Sequence, residues 1–139
     1  QERLVLAIGA IAEAQRMVDI TLDYVKQRTA FGRPIGKFQN TQFKIAEMAT
    51  QVKIGDTFVK QLVQDHISGK DIVTEVSMAK WWISEMAKRV AAECLHLHGG
   101  YGYMEEYEIA RRYRDIPVAS IYAGTTEIMK TIIAKKLDL

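Results

Sequence analysis

Residues 4–25 read LVLAIGAIAEAQRMVDITLDYV, and their spacing decides the fold class. From Leu4 the apolar residues Ile8, Ile11, Ala14, Val18, Leu22 and Val25 recur at steps of three and four. A backbone with 3.6 residues per turn stacks such positions into one stripe, whereas a half-buried strand needs strict alternation. The stretch predicts an amphipathic helix over Glu2–Arg28. Gly32, Pro34 and Gly36 then break the pattern and force a loop over Thr29–Lys37. A second stripe runs through Phe43, Met48, Val52, Val59 and Leu62 to the turn signal Ser68-Gly69-Lys70-Asp71. A third runs through Val76, Ala79, Ile83, Met86, Val90, Cys94 and Leu97 and stops at Gly99 and Gly100. Glu106–Arg114 is expected to form a short helix, ended by Pro117 before an apolar run toward Tyr122, and a last helix is expected over Thr125–Leu137. Neither a repeat nor a long alternating segment is present. The expected fold is all-α: an antiparallel four-helix bundle, up-down-up-down, with a short extra helix before the last, one domain over residues 1–139.

The composition agrees. The chain has 139 residues, 48% hydrophobic and 26% charged, with only two prolines and nine glycines, which favours long helices over a turn-rich β architecture. A formal net charge of +2 is too small to call for nucleic acid, although Arg111, Arg112 and Arg114 make a local basic run suited to a phosphate. The single cysteine, Cys94, excludes an intramolecular disulfide and falls on a core position; with it goes an expectation of a reducing compartment, the cytoplasm or, in a eukaryote, the mitochondrial matrix. No apolar run approaches the roughly 20 residues that span a bilayer. Gln1 leads directly into helix, the expected look of a piece taken from a longer polypeptide.

Several residue groups could carry chemistry. Gly99-Gly100-Tyr101-Gly102 lacks the preceding strand a dinucleotide fingerprint requires, so its ordinary reading is a helix stop, although its glycines let backbone approach a flat or phosphate-bearing ligand. Cys94, His96 and His98 have the residue types of a metal site. Positions two apart on a helix point roughly 200 degrees apart, so no metal is expected there. Glu93 and His96 form a single Glu-x-x-His pair where a di-iron bundle needs two. His66, close to a helix end, receives no role. Ala123-Gly124-Thr125-Thr126-Glu127 opens the last helix with a glycine and two hydroxyls; its free backbone N–H groups suit an oxyanion, and a plain helix cap is the ordinary alternative. Glu2, beside Arg3 at the start of the first helix, reads by itself as an acid that complements the helix dipole.

Taken in order, Glu2-Arg3, Arg28-Thr29-Ala30-Phe31-Gly32, Gln39, His96-Leu97-His98-Gly99-Gly100-Tyr101-Gly102 and Ala123-Gly124-Thr125 make a pattern covering essentially the whole chain. The pattern resembles the C-terminal domain of the acyl-CoA dehydrogenases, and most closely the long-chain and isovaleryl-type branch. The resemblance implies FAD as cofactor and, in the intact enzyme, an N-terminal helical domain and a middle β domain ahead of this bundle. It also implies a homo-oligomer, a tetramer in the intact enzyme, with FAD held across a subunit interface. By the same match Arg28 meets the diphosphate of a neighbouring subunit's FAD, a task suited to a guanidinium fork. Phe31, Gln39, Thr125 and Glu127 fall at further cofactor positions. His96, Leu97, His98, Gly99 and Gly100 resemble the adenosine-side segment, with His96 where relatives often have glutamine. Tyr122, Ala123 and Gly124 match the lining of the acyl pocket.

Ala123 is the most informative departure, because medium- and short-chain relatives carry their catalytic glutamate there and alanine cannot take a proton. The long-chain and isovaleryl-type enzymes place that base at the start of the bundle's first helix, in a context like Glu2-Arg3-Leu4. The resemblance therefore implies Glu2 as the base, with Arg3 positioning the CoA portion of the substrate. The implied reaction removes the α-proton of an acyl-CoA thioester while the β-hydrogen leaves as hydride to the flavin, giving a trans-2-enoyl-CoA. The Ala123 N–H is the expected donor to the thioester carbonyl, and electrons are expected to pass to an electron-transfer flavoprotein. The isolated fragment is expected to be inactive and to self-associate through exposed apolar faces. Two rival readings are a non-catalytic structural or interaction bundle, motivated by Ala123, and a flavin oxidase of the same fold.

Overall fold

The computed structural model describes residues 1–139, and each of the three long stripes forms a helix: α1 over Glu2–Gln27, α2 over Gln39–Ile67 and α3 over Val73–His98. The short α4 covers Glu108–Asp115 and α5 covers Thr126–Lys136. The expected boundaries hold to within two residues, the usual uncertainty of a fraying end. Two features lay outside the sequence reading. The loop after α1 contains a minimal antiparallel hairpin, β1 (Thr29–Ala30) paired with β2 (Arg33–Pro34), with Thr29 opposite Pro34. Its two-residue turn, Phe31-Gly32, has φ of 52° and 78°, the left-handed pair that matches strand twist in tight hairpins. The apolar run before Tyr122 is a 3-10 turn over Ile116–Ser120, with proline in its first turn, where a missing N–H costs nothing.

The long helices pack through most of their predicted faces; Ile8 of α1 and Phe43 of α2, expected on the inward stripes, are exposed. Ala7, Ile11, Ala14, Met17 and Val18 of α1 meet Met48, Val52, Val59 and Leu62 of α2, together with Ile83, Met86, Val90 and Cys94 of α3, in one continuous core. Cys94 is fully buried, its thiol directed at the Met17 carbonyl and the Met48 sulfur. Cross-helix pairs define the directions. Tyr24 stacks on His98 near the ends of α1 and α3, so those helices run parallel; Lys44 of α2 pairs with Glu93 of α3, while Thr126 of α5 bonds Glu85 and Lys130 lies over Trp81, so α2 and α5 run the other way. The bundle is up-down-up-down, with α4 packed against α1 and α3.

Ion pairs hold α4 in place. Glu108 accepts from Arg16 of α1 at 2.7 and 3.0 Å and from Arg112 on its own helix, while Arg112 also reaches Glu13. These contacts hold the Glu108 carboxyl down at a pKa of about 2, chiefly through the Arg16 hydrogen bonds and then those of Arg112. Arg114 pairs with Glu105 and Asp115. Two of the three arginines in the basic run are thus already engaged with carboxylates, and the run is a fastening between helices more than a phosphate site.

Candidate active site at the ends of the bundle

The expected site residues fall into two groups at opposite ends of α1. A helix of 26 residues separates Glu2 from Arg28, roughly 40 Å at 1.5 Å per residue. The first group comprises Glu2, Arg3 and the segment Tyr122–Glu127, which lies 120 residues away in sequence. They meet because Arg3 Nε reaches the Ala123 carbonyl oxygen at 3.4 Å. Glu2, the neighbour of Arg3 in the first turn of α1, is exposed and carries no ion pair.

The turn has an unusual backbone. Ala123 sits at φ 55° and Gly124 at φ 101°. For alanine the left-handed region costs roughly 1–2 kcal/mol, so the surrounding contacts must hold it there. Gly124 has a steric reason for its identity, since a Cβ would stand 2.7 Å from Met129 Cε. Thr125 then turns extended and caps α5, its hydroxyl accepting from the Ile128 N–H at 3.4 Å. Glu127 lies in the first turn of α5 with its pKa lowered, first by its own backbone N–H and then by the Thr125 hydroxyl. None of the chain's hydrogen bonds uses the N–H of Ala123, Gly124 or Thr125, so all three remain as donors for an outside acceptor. Tyr122 is exposed beside Val118 and Ala119 along a cleft of about 410 Å³.

The second group forms a groove of about 510 Å³ lined by Arg28, His96, Leu97, His98, Gly99 and Gly100, with Tyr24, Ile35, Tyr101 and Met104. Gly99 adopts φ 60° and ψ −142°, and a Cβ on Gly99 or Gly100 would meet nothing within 4 Å. The floor of the groove is therefore bare backbone, open to a flat partner. The Arg28 guanidinium lies 5.3 Å from the Tyr101 ring centre and is bound to no carboxylate, which leaves its fork available to an anion. A dinucleotide's adenosine and diphosphate fit this donor set. His98 turns its ring inward: it is buried, stacks on Tyr24 at 4.2 Å, and its Nδ1 bonds the Cys94 carbonyl; burial lowers its pKa against the opposing effect of that bond. His96 is exposed at the groove edge and Cys94 faces the core, so the three potential metal ligands point in different directions. Phe31 and Gln39 do not line the groove. Phe31 stands at the hairpin tip, 95% exposed, and Gln39 is exposed at the start of α2.

The sequence reading missed Lys80. It is completely buried on α3, and its ammonium donates to the Gly124 carbonyl. A cue was present: Lys80 falls four residues after Val76 and three before Ile83, inside the apolar stripe. Tyr24 of the groove was missed as well, since no local pattern distinguishes it from an ordinary core tyrosine, and Tyr101, though inside the quoted glycine segment, was given no role of its own.

Comparison with known proteins supplies the context for both groups. The family model described as acyl-CoA dehydrogenase, C-terminal domain, matches residues 1–137. The mitochondrial long-chain specific acyl-CoA dehydrogenase of Sus scrofa is 44% identical over 99% of this chain, and a 3-(aryl)acrylate reductase of Clostridium sporogenes is 41% identical over 97%. The chain spans 32% and 36% of these two relatives. The crystal structure of an acyl-CoA dehydrogenase from Geobacillus kaustophilus superposes on the whole chain with a TM-score of 0.99 at 68% identity, the chain covering 37% of that protein. With a helical fold, a turn of free N–H donors and a match running almost from end to end, the chain belongs to the acyl-CoA dehydrogenase family, as its C-terminal domain.

Proposed function

We propose that this domain completes the active site of an FAD-dependent acyl-CoA dehydrogenase in which Glu2 is the catalytic base. The observation that carries the proposal is the contact of Arg3 with the Ala123 carbonyl. It brings the start of α1 onto the very turn where an acid would otherwise stand, so the carboxylate lacking at Ala123 is available from Glu2. Glu2 takes the α-proton of the acyl thioester; the free N–H of Ala123 meets the thioester carbonyl and acidifies that proton. Tyr122 and Gly124 border the acyl chain. Arg3, with only Nε engaged, keeps its two terminal nitrogens for the CoA portion. FAD, when bound, supplies the hydride acceptor at the β-carbon, and the product is a trans-2-enoyl-CoA. Thr125 and Glu127 meet the cofactor at the start of α5.

The distance between the two groups favours two different cofactor molecules. Arg28 and the His96–Gly100 segment, roughly 40 Å from Glu2 along α1, contact the FAD of a neighbouring subunit, with Phe31 and Gln39 reaching it from the hairpin and the start of α2. This reading calls for a homo-oligomer, a tetramer in the intact enzyme, and for an electron-transfer flavoprotein as the electron acceptor. The free acid at Glu2 also favours the long-chain and isovaleryl-type branch. No helix is long and apolar enough to cross a membrane.

The test is Glu2→Gln in a full-length enzyme carrying this domain, mixed anaerobically with acyl-CoA while flavin bleaching is followed. The rate is expected to fall by about 10²–10⁴-fold, the usual range for a general base, with FAD content unchanged. Bleaching at the wild-type rate would refute the assignment. A second reading follows from the 41% identity with a reductase of 3-(aryl)acrylates: the same carboxyl group delivers a proton to an enoyl substrate in the reverse direction. Assaying both directions with one preparation distinguishes them.

A further inference from the structure

Lys80 is the only Lys, Arg, Asp or Glu in the chain that is fully buried, and it has one hydrogen-bond partner, the carbonyl of Gly124. Removing an ammonium from water costs several kcal/mol unless its contacts offset the loss, and a methionine of similar length would fill the same volume without that cost. A single tie to a loop carbonyl is a costly arrangement if packing is its only use. The geometry shows what else the tie does. Arg3 holds the Ala123 carbonyl at 3.4 Å, and Lys80 holds the next carbonyl along the chain. Two further side chains of α3 secure the ends of the same segment: Lys88 reaches the Ser120 hydroxyl at 3.3 Å, and Glu85 accepts from the Thr126 hydroxyl at 2.9 Å. Lys88 and Glu85 are themselves paired at 2.9 Å.

In a trans peptide the carbonyl and the following N–H point in opposite directions. Cations that draw the Ala123 and Gly124 carbonyls into the bundle therefore direct the N–H groups of Gly124 and Thr125 outward, and the chain offers those groups no acceptor. A carbonyl bonded to a cation also polarises its own peptide, strengthening the N–H at the far end. The same pull helps hold Ala123 at φ 55°, a region alanine otherwise avoids, while φ 101° at Gly124 is open to glycine.

We infer that Lys80 is a positioning residue for the reaction: its ammonium anchors the Gly124 carbonyl from inside the bundle and so, together with Arg3 on the Ala123 carbonyl, fixes the outward N–H groups of Gly124 and Thr125 and the turn that carries Ala123 at the reacting edge. The inference rests on the reading that this turn borders the thioester. Lys80 touches neither substrate nor cofactor in this role. It acts through the backbone, and it accounts for a buried charge that the catalytic steps do not use. Its pKa is lowered, first by burial and then by Arg3, against the opposing pull of Glu85 and Glu127, the other charged groups facing it.

The test uses the full-length holoenzyme. Lys80→Met keeps the volume and removes the donor: it spares the desolvation of an ammonium and leaves the Gly124 carbonyl without its partner. Three readings are compared with wild type: FAD content and melting temperature; kcat and KM over butyryl-, octanoyl-, palmitoyl- and isovaleryl-CoA; and the flavin absorption change on binding 3-thiaoctanoyl-CoA, which has no β-hydrogen to lose. The expected result is retained FAD, a kcat lower by about 10–100-fold, a KM within about threefold, and an altered absorption change, because misplacing reacting groups by about an ångström has effects of this size. Wild-type kcat and spectrum would overturn the inference. If Lys80→Met does not fold, Lys80→Gln takes its place in the same comparison, and loss of the fold in both would overturn it too, by assigning Lys80 to stability alone. Glu2→Gln is measured alongside. An active Glu2→Gln enzyme refutes the base assignment whatever Lys80 does, whereas an inactive one beside a normal Lys80→Met enzyme refutes only the role of Lys80.

Discussion

Gly124→Ala separates two forces on the Ala123–Gly124 turn. The first is conformational: at φ 101° an L-residue lies beyond the ordinary left-handed well, for a cost of about 1–3 kcal/mol. The second is steric, since the new Cβ would stand 2.7 Å from Met129 Cε, and Met129 is fully buried, so its terminal methyl must find another rotamer within a packed core. Overpacking of this kind costs about 1–3 kcal/mol, reduced here because the obstructing atom is the end of a flexible side chain. Together the two predict a loss of roughly 2–4 kcal/mol. Urea unfolding of wild type and variant measures it, and the same substitution in a Met129→Leu background divides it. Leucine lacks the obstructing methyl and is itself a mild change, so the steric part should fall away and the conformational part should remain. A coupling of about 1 kcal/mol between the two sites is expected. If Gly124→Ala lies within about 0.5 kcal/mol of wild type, the strained turn is not a feature of the molecule; if the loss is equal in both backgrounds, only the steric account fails.

Two other outcomes follow from the electrostatics of the bundle. Glu108 has its pKa depressed from 4.5 to about 2, so its contribution is present above pH 4.5 and is lost as pH falls toward 2. Because Arg16 is 52% exposed, solvent screening reduces the linkage to roughly 1–2 kcal/mol, and Glu108→Gln should be less stable than wild type by that amount at pH 7 and equal to it near pH 2; denaturation curves that stay parallel across this range would refute the account. Burial pushes the Cys94 thiol up to about 11, so a disulfide reagent at pH 8 should label it only as fast as the fold opens, and rapid labelling of the native chain would contradict its place in the core.

The parts legible in the sequence are those governed by local periodicity. Three apolar stripes define α1, α2 and α3 because a helix face is set by residues three and four apart. The glycine stop after His98 was legible too, since positive φ at Gly99 is available to glycine at little cost. The Phe31-Gly32 hairpin was not, because two residues per strand are too few to show alternation and phenylalanine is an unusual choice at positive φ. Lys80 was overlooked although it interrupts the third stripe, since a lone lysine among apolar positions normally snorkels to water, and here the bundle closes over it.

By itself, then, the sequence determined helix number, order and inward faces, and the motif order that marks the family, because each rests on neighbours along the chain. Tertiary structure alone decided that Arg3 and Lys80, 120 and 44 residues from their targets, close on successive carbonyls of one turn, and that Glu2 and Arg28 stand at opposite ends of the bundle. Such convergence comes from how whole helices pack, and residues so far apart in sequence leave no spacing from which it could be read.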